Sequence, residues 1–439
     1  MEIPDIQPGP TEPQAAAAVV GSSRLTPVSA AERIGVIDIL RGLALFGILA
    51  ANMRAFNAPF EVYGNIWKLF PGTADQIAQG AIDVLITVKA MTLFSFLFGL
   101  GFAVQMSRAE ERGRPVSFYP RRLGILLAIG LIHAWLIWVG DILVLYALTG
   151  FILFLFRKRT QKTVAIWAIS LGCLPLVIVT GGMIAARFGL LPPSKPDDAA
   201  KIAADIQSSI QVFRDGSYWA MAVRRFHDWV DANRALPFEI PLLALPRFLA
   251  GLWIWRSGLL KDSARYMPVV KRVMAWGLCI GLAGSIITLA LRILYRGAPI
   301  RFGTAQFAVG ALAFVVGPIS QAAFYAGAVL MLAQIPKWRA WLTPFGAVGQ
   351  MALTNYLTQS IFFVAFYRLT HTFGSVGPAL GLVPTVIFFA IQIWFSVWWL
   401  QRFQFGPAEW AWRSLTYGVR QPMRRSDEHL LYNVAGNVG

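Results

Sequence analysis

The sequence predicts an all-α polytopic membrane protein, a helix bundle with about ten transmembrane helices. Composition is the first reason: of 439 residues, 56% are hydrophobic and only 14% are charged, whereas soluble domains average about 25% charged residues. The second reason is the grouping of the apolar residues into runs close to the roughly 20 residues that a helix needs to cross a bilayer. Together these features indicate a chain whose main solvent is lipid.

The apolar runs and the polar stretches between them define the predicted organisation. A transmembrane bundle over residues 33–403 is expected to follow a disordered cytoplasmic tail at 1–32. An interfacial helix at 404–417 is expected to precede a second disordered tail at 418–439. The polar stretch 189–237 is too long for a passive connector and is expected to act as a lid or cap. The predicted spans are 35–56, 81–106, 122–139, 141–156, 163–188, 238–260, 270–293, 304–333, 346–369 and 379–400.

The distribution of charge predicts the orientation. The formal net charge is +17, and most basic residues lie in alternate short loops, which is the positive-inside pattern of membrane proteins. Both termini are therefore expected in the cytoplasm, although the basic run at 291–301 falls on the other side. The pattern argues against nucleic acid as a partner. Membrane lipids and a small-molecule or lipid substrate are the expected partners, and a homo-oligomer is left open.

The third span holds ionisable groups both at its ends and within it. Arg121 and Arg122 open this span, His133 lies inside it and Asp141 follows at the outer turn. Ionisable groups are costly in a bilayer and usually face a bundle interior or a wet cavity. A bend at Gly140 would bring the carboxylate to the imidazole and orient it as a general base. The alternative is that the histidine only bonds to a neighbouring helix.

A repeated spacing links the first and third spans. Asp38 and Arg41 are spaced for pairing on one helix face. Arg41 and Asn52 are eleven residues apart, about three helical turns, and Arg122 and His133 repeat this spacing. We therefore expect the two helices to face one cavity that is cationic at its inner end. The alternative for Asp38 and Arg41 is a pair that only fixes the helix end.

The ninth span adds a second group of polar residues. Asn355 and Gln359 are four residues apart, with Tyr356 beside them. Amides in lipid must find hydrogen-bond partners, so these residues either line a cavity or bond to other helices. No metal site is expected, because the four histidines of the chain are scattered along it.

These residues resemble the YeiB-like family of bacterial membrane proteins, which carry a domain of unknown function numbered 418. The resemblance rests on Asp38-Ile39-Leu40-Arg41-Gly42, Gly47, Asn52, Phe98-Gly99, Arg121-Arg122, His133, Gly140-Asp141, Tyr146, Met351 to Tyr356, Gln359-Ser360, and Gly406-Pro407 with Glu409, Trp410 and Arg413. That family is distantly similar to the transmembrane acyltransferase superfamily, which includes heparan-alpha-glucosaminide N-acetyltransferase and the O-antigen acetylases. The resemblance implies a multi-pass protein of the bacterial inner membrane.

The resemblance also implies acyl transfer from cytoplasmic acyl-CoA, as donor substrate, to an acceptor at or across the membrane. In this interpretation Arg41, Arg121 and Arg122 line the cytoplasmic mouth, where they suit the phosphates of the donor. Further residues are expected to bind substrate or cofactor: Asp38, Tyr146, Tyr356 and Gln359. His133 and Asp141 are the catalytic pair, and Asn52 or Asn355 holds the acyl oxygen. The acetyltransferase has its working histidine in the loop after the first span, whereas residues 53–80 of this chain contain no histidine.

Two other classes of function use the same residues. A carrier or exporter of a lipid or small amphiphile would line its path with the polar stripe and use His133 as a proton-linked gate. A membrane factor that binds a quinone or lipid would use the expected cavity for binding and would catalyse no reaction.

Overall fold

The structure, a computed structural model, describes residues 35–62, 66, 69–113, 115–190, 199–259, 266–295, 300 and 303–425. The predicted tail at 1–32 and most of the predicted tail at 418–439 lie outside these residues. Within the described ranges the chain forms sixteen α-helices, and an isolated bridge between Phe403 and Arg424 is the extent of the strand-like pairing. The helices are α1 (Gly35–Phe56), α2 (Thr73–Leu85), α3 (Lys89–Glu111), α4 (Phe118–Ile132), α5 (Leu143–Leu155), α6 (Gln161–Arg187), α7 (Ala199–Asp215), α8 (Tyr218–Asn233), α9 (Leu236–Glu239), α10 (Leu245–Arg256), α11 (Met267–Leu294), α12 (Ala305–Leu332), α13 (Pro336–Gln350), α14 (Ala352–Leu369), α15 (Pro378–Arg402) and α16 (Pro407–Tyr417).

Eight helical stretches in the described part of the chain are long and apolar enough to cross a membrane. They are α1, α2 with α3, α4 with the turn after it, α6, α9 with α10, α11, α12 and α15. The predicted polytopic helix bundle is thereby confirmed, and the protein is an integral membrane protein.

The remaining two predicted spans correspond to shorter helices. The span predicted at 141–156 is α5, which has 13 residues, and the span predicted at 346–369 is α14, which has 18. At 1.5 Å per residue α5 is about 20 Å long, shorter than a bilayer core of about 30 Å. The basic run 157–162 follows α5 directly.

Helix α1 lies at the centre of the bundle and packs against α3, α13, α14 and α15. Its contact with α13 is backbone to backbone. A Cβ atom at Gly42 would overlap the carbonyl of Phe345, and one at Gly349 would overlap the carbonyl of Asp38. Small residues allow this close approach, which drives helix association in lipid.

Helices α7 and α8, termed the cap, cover the end of the bundle at which α1 ends. The cap is attached by hydrogen bonds to backbone carbonyls. Tyr218 donates to the carbonyl of Leu136 at 2.8 Å, and the carbonyl of Gly216 in the cap accepts from Arg368 at 2.7 Å. Leu136 lies in the turn after α4 that also carries His133, and Arg368 lies in α14, so the cap lies over the segments that carry His133 and Tyr356.

Candidate functional site

The site centres on a buried pair formed by His133 and Asp141. Helix α4 ends at Ile132, a π-helical turn spans His133–Ile137, and the chain reverses before α5. The reversal places Oδ1 of Asp141 2.8 Å from Nδ1 of His133, with both side chains at most 1% exposed. Oδ2 of Asp141 accepts from the backbone N–H of Val144 at 2.8 Å. The carboxylate is thus fixed from both sides and sets the orientation of the imidazole.

The other imidazole nitrogen has no such partner. Nε2 of His133 is buried and has no hydrogen-bond partner among the described residues. A carboxyl oxygen at Nδ1 favours the imidazole tautomer with its hydrogen on Nδ1, which leaves the lone pair on Nε2. This is the arrangement that a general base requires.

Aromatic rings flank the imidazole on two sides. The ring centroid of Tyr356 lies 5.2 Å from that of His133, and that of Trp138 lies 6.4 Å away. Trp138 Nε1 donates to the carbonyl of Ala55 at 3.2 Å. A Cβ atom at Gly140 would overlap the indole, so glycine at this position lets the indole lie against the turn.

A cavity of about 270 Å³ lies on the Tyr356 side of the pair. We call it the arginine cavity, because its lining carries four arginines and two carboxylates: Arg41, Arg108, Arg122, Arg413, Asp38 and Glu409. Tyr146 and Tyr356 also line it. The hydroxyls of Tyr146 and Ser95 are 2.7 Å apart, which holds the Tyr146 ring in the wall.

Both carboxylates of the arginine cavity already bind other groups. Oδ1 of Asp38 accepts from Arg41 at 2.7 Å. Glu409 accepts from the backbone N–H of Leu353 and from the hydroxyl of Thr354, each at 2.6 Å. It therefore caps the first turn of α14, where unpaired N–H groups and the helix dipole favour an anion. The cavity keeps a net excess of positive charge.

The position of Arg122 is set by α16. Its guanidinium carbon lies 3.6 Å from the ring centroid of Trp412, and Trp412 Nε1 donates to the carbonyl of Arg122 at 2.9 Å. Guanidinium groups stack well on aromatic faces and remain able to bind anions through their N–H groups. The predicted interfacial helix is thus also part of the wall of the cavity.

A second cavity, of about 340 Å³, lies on the Trp138 side, beneath the cap. This cap cavity has mainly apolar walls, with Phe56 and Trp138 among them, and three charged side chains, Arg225, Asp228 and Arg368. Oδ1 of Asp228 accepts from Arg224 at 2.9 Å. Oδ2 of Asp228 is buried without a hydrogen-bond partner among the described residues.

Burial raises the pKa of Asp228 from 3.8 to about 6, against the opposing effect of Arg224. A carboxyl whose pKa is raised by folding stabilises the fold below its unfolded pKa and loses that contribution as pH rises through the folded value. We expect the melting temperature to fall between pH 5 and pH 7, with a loss of about 1 kcal/mol from this group. Thermal denaturation of Asp228→Asn should show a smaller pH difference than the wild type.

The matched control for this measurement is Asp231→Asn. Asp231 lies one turn further along α8, where its side chain is 56% exposed and pairs with Arg234. The charge of Asp231 makes the smallest contribution to the raised pKa of Asp228, so this variant should reduce the pH difference only slightly. An unchanged pH difference in Asp228→Asn would show that the buried carboxyl is not the titrating group.

The two cavities are separated by a thin partition that contains the His133–Asp141 pair. On α1, Ile48 lines the arginine cavity and Ala55 lines the cap cavity. These residues are seven apart, or about 10 Å along the helix. His133 lines neither cavity, but Tyr356 lines one and Trp138 lines the other. One aromatic ring therefore separates the imidazole from each cavity.

Among the residues singled out in the sequence, the structure brings Arg41 and Arg122 to one cavity, with Asp38, Tyr146 and Tyr356. Asn52 and Arg121 do not line this cavity. Arg121 is exposed. It precedes Arg122 in α4, and because neighbouring residues of a helix point in different directions, its side chain does not face the cavity.

Asn355 and Gln359 line neither cavity and instead bond α14 to α15. Nδ2 of Asn355 donates to Ser396 at 3.1 Å, and Nε2 of Gln359 donates to Gln392 at 2.9 Å. The sequence left open whether these amides line a cavity or bond to other helices, and in the structure both bond to a neighbouring helix.

Sequence reasoning missed Trp412, Asp228 and Arg368 as site residues, and it missed the role of Glu409. Each of them reaches the site through a contact between segments far apart in the chain, as Glu409 does with Leu353, 56 residues away. Local periodicity holds no signal for such contacts. In the sequence, the one indication of such a role was an acidic residue, Glu409, in the otherwise apolar and aromatic first turn of its helix.

Comparison with known proteins agrees with the resemblance read from the motifs. YxaH of Bacillus subtilis (strain 168), described as uncharacterized, is 35% identical over 425 residues, which cover 92% of this chain and 99% of YxaH. YeiB of Escherichia coli (strain K12), also described as uncharacterized, is 27% identical over 411 residues, which cover 89% of this chain and 98% of YeiB. The family model described as a protein of unknown function, DUF418, matches residues 254–419. The chain therefore belongs to the DUF418 family.

Proposed function

We propose that the protein transfers an acyl group from acyl-CoA bound in the arginine cavity to a hydroxyl or amine that reaches the partition from the cap cavity. The observation that supports this most is the buried His133–Asp141 pair in the partition between the cavities, where Nε2 of His133 has no partner in the part of the chain that the structure describes. A general base in this position can serve a donor on one side and an acceptor on the other.

The chemistry balances without further reactants. The acceptor oxygen or nitrogen attacks the thioester carbon as its proton passes to Nε2 of His133. The new C–O or C–N bond forms, the C–S bond breaks, and the proton then passes from Nε2 to the leaving sulfur to give free CoA. Asp141 accepts from Nδ1–H and stabilises the imidazolium while it exists.

The arginine cavity suits the donor by charge and by size. Arg122 and Arg41 offer guanidinium groups, which bind phosphates in a forked geometry. The volume of about 270 Å³ is near the lower end of ligand sites. It fits the thioester arm, with the nucleotide at the mouth. In this proposal the mouth faces the cytoplasm of a bacterial inner membrane, in keeping with the charge pattern of the loops.

Neighbouring arginines provide the test of donor binding. Arg122→Gln should weaken the affinity for a non-hydrolysable acyl-CoA thioether by about 10- to 100-fold, because it removes a charge-assisted contact to phosphate. Calorimetry on the purified protein in nanodiscs measures this. Arg121→Gln is the matched control, since Arg121 is exposed and outside the cavity, and it should bind like the wild type. Equal affinities for the two variants would contradict the proposed donor site.

One feature favours a second candidate, a carrier for a lipid or small amphiphile. His133 lines neither cavity, and a closed partition between two opposed cavities is what an alternating-access carrier needs. In that case His133 would gate transport by gaining and losing a proton. Purified protein that binds no acyl-CoA thioether and turns over no acyl-CoA, yet moves a labelled amphiphile across proteoliposomes, would decide for the carrier.

A further inference from the structure

The cap cavity has an exposed apolar wall on one side. Ile361, Ala365 and Leu369 line it from α14 and follow one another at four-residue intervals, so they form one stripe of that helix. All of them are exposed, Ile361 by 50% and Leu369 by 78%. In a membrane-embedded bundle an exposed apolar stripe is suited to contact lipid, and here the same stripe is a wall of the cavity. We call this side of the cavity the lateral portal.

Three charged residues line this cavity, and two of them each have one buried polar atom without a hydrogen-bond partner among the described residues. Arg368 donates through Nη2 to the carbonyl of Gly216 at 2.7 Å, whereas its Nη1 is buried without a partner among the described residues. Oδ2 of Asp228 is buried in the same way. Buried polar atoms are normally satisfied, so the pair indicates a ligand that offers an acceptor to Arg368 and a donor to Asp228.

We infer that the cap cavity binds the headgroup of a membrane phospholipid that enters through the lateral portal. The phosphate accepts from Arg368, and a headgroup hydroxyl or amine donates to Asp228. The volume of about 340 Å³ holds a headgroup and not the acyl chains, which stay in the bilayer beyond Ile361 and Leu369. This inference rests on the proposed function in one respect, since that hydroxyl or amine would be the acyl acceptor.

The chemistry of the site predicts which lipids bind. Phosphatidylglycerol and phosphatidylethanolamine carry both a phosphate and a donor group, and either satisfies Arg368 and Asp228 together. Phosphatidylcholine carries the phosphate but has no donor for Asp228, and its bulkier quaternary ammonium leaves Oδ2 unpaired. Glycerol 3-phosphate carries the polar groups without the chains, so it tests whether the portal and the bilayer contribute.

The experiment is lipid titration of the delipidated full-length protein, followed by native mass spectrometry. Wild-type protein should bind phosphatidylglycerol and phosphatidylethanolamine at least about tenfold more tightly than phosphatidylcholine or glycerol 3-phosphate. Arg368→Gln should lose about tenfold in affinity for the two preferred lipids. Arg234→Gln is the matched control, because this cap arginine is 78% exposed and lies outside the cavity.

Arg368→Gln also removes a hydrogen bond that attaches the cap, so a second variant is needed that leaves this attachment intact. Ala365→Trp places a large ring in the lateral portal without removing a hydrogen bond, and it should also lower lipid affinity. The inference is overturned if both variants bind like the wild type, if phosphatidylcholine binds as well as phosphatidylglycerol, or if glycerol 3-phosphate does. Acyl-CoA binding separates this result from the proposed function, because Arg368→Gln should leave the affinity of the arginine cavity for the thioether unchanged.

Discussion

Replacement of His133 by Gln should reduce acyl transfer by about 10²- to 10⁴-fold, the usual contribution of a general base. Nε2 of His133 lies buried between the two cavities and has no other hydrogen-bond partner among the described residues. Glutamine keeps a polar side chain of similar reach but cannot take up the proton of the acceptor. The expected result is measured as single-turnover transfer from labelled acyl-CoA, with acyl-CoA binding retained.

His371→Gln is the matched control for this result. His371 lies 3.1 Å from Asp215 in a pair whose side chains are 64% and 57% exposed, so its loss should leave transfer unchanged. Asp141→Asn should also be strongly impaired, because an amide no longer favours the tautomer with its lone pair on Nε2. Transfer by His133→Gln at more than a tenth of the wild-type rate would remove His133 from the mechanism.

The largest effect on stability is expected from Gly349→Ala. A Cβ atom at this position would overlap the carbonyl of Asp38, and the neighbouring atoms are backbone, which cannot rotate away. Helices α1 and α13 would have to separate, at a cost of about 1–3 kcal/mol or more. The shift would also move Asp38, which holds Arg41 in the arginine cavity. The yield of monodisperse protein and its melting temperature should both fall.

Gly124→Ala is the control, because it makes the same glycine-to-alanine change in a helix without a steric overlap. A Cβ atom at Gly124 meets nothing within 4 Å, and alanine is favoured over glycine in a helix interior by about 1 kcal/mol. This variant should match or exceed the stability of the wild type. If Gly349→Ala were as stable as Gly124→Ala, the backbone contact between α1 and α13 would be wrong.

Hydropathy predicted the bundle because lipid imposes length and polarity on every span independently of its neighbours. It overestimated the length of α5: the run at 141–156 is apolar, but its first residues form the reversal that contains Asp141. The contact of this residue with His133 depended on a bend at Gly140, a local feature that the sequence shows.

The surroundings of the pair could not be predicted in this way. Tyr356 stands 223 residues from His133 in the chain and reaches it because α14 begins inside the bundle. Eleven-residue spacing placed Arg41 and Arg122 on the inward faces of their helices, but it also selected Asn52, which does not line the arginine cavity. Spacing fixes the direction of a side chain from its own helix axis and carries no information about which helix stands opposite.

The double attachment of α16 has a consequence for the order of events. This short helix touches Arg122 through Trp412 and holds the first turn of α14 through Glu409. Tyr356, which closes the arginine cavity towards His133, follows three residues after Leu353 on that same turn. Under the proposed function, a donor that draws Arg122 from the indole displaces α16 and, with it, the ring that shields the base. Such a linkage would make the reaction sequential, with the donor binding first. It would also keep the base shielded, and so keep the thioester from hydrolysis, until the donor is fully bound.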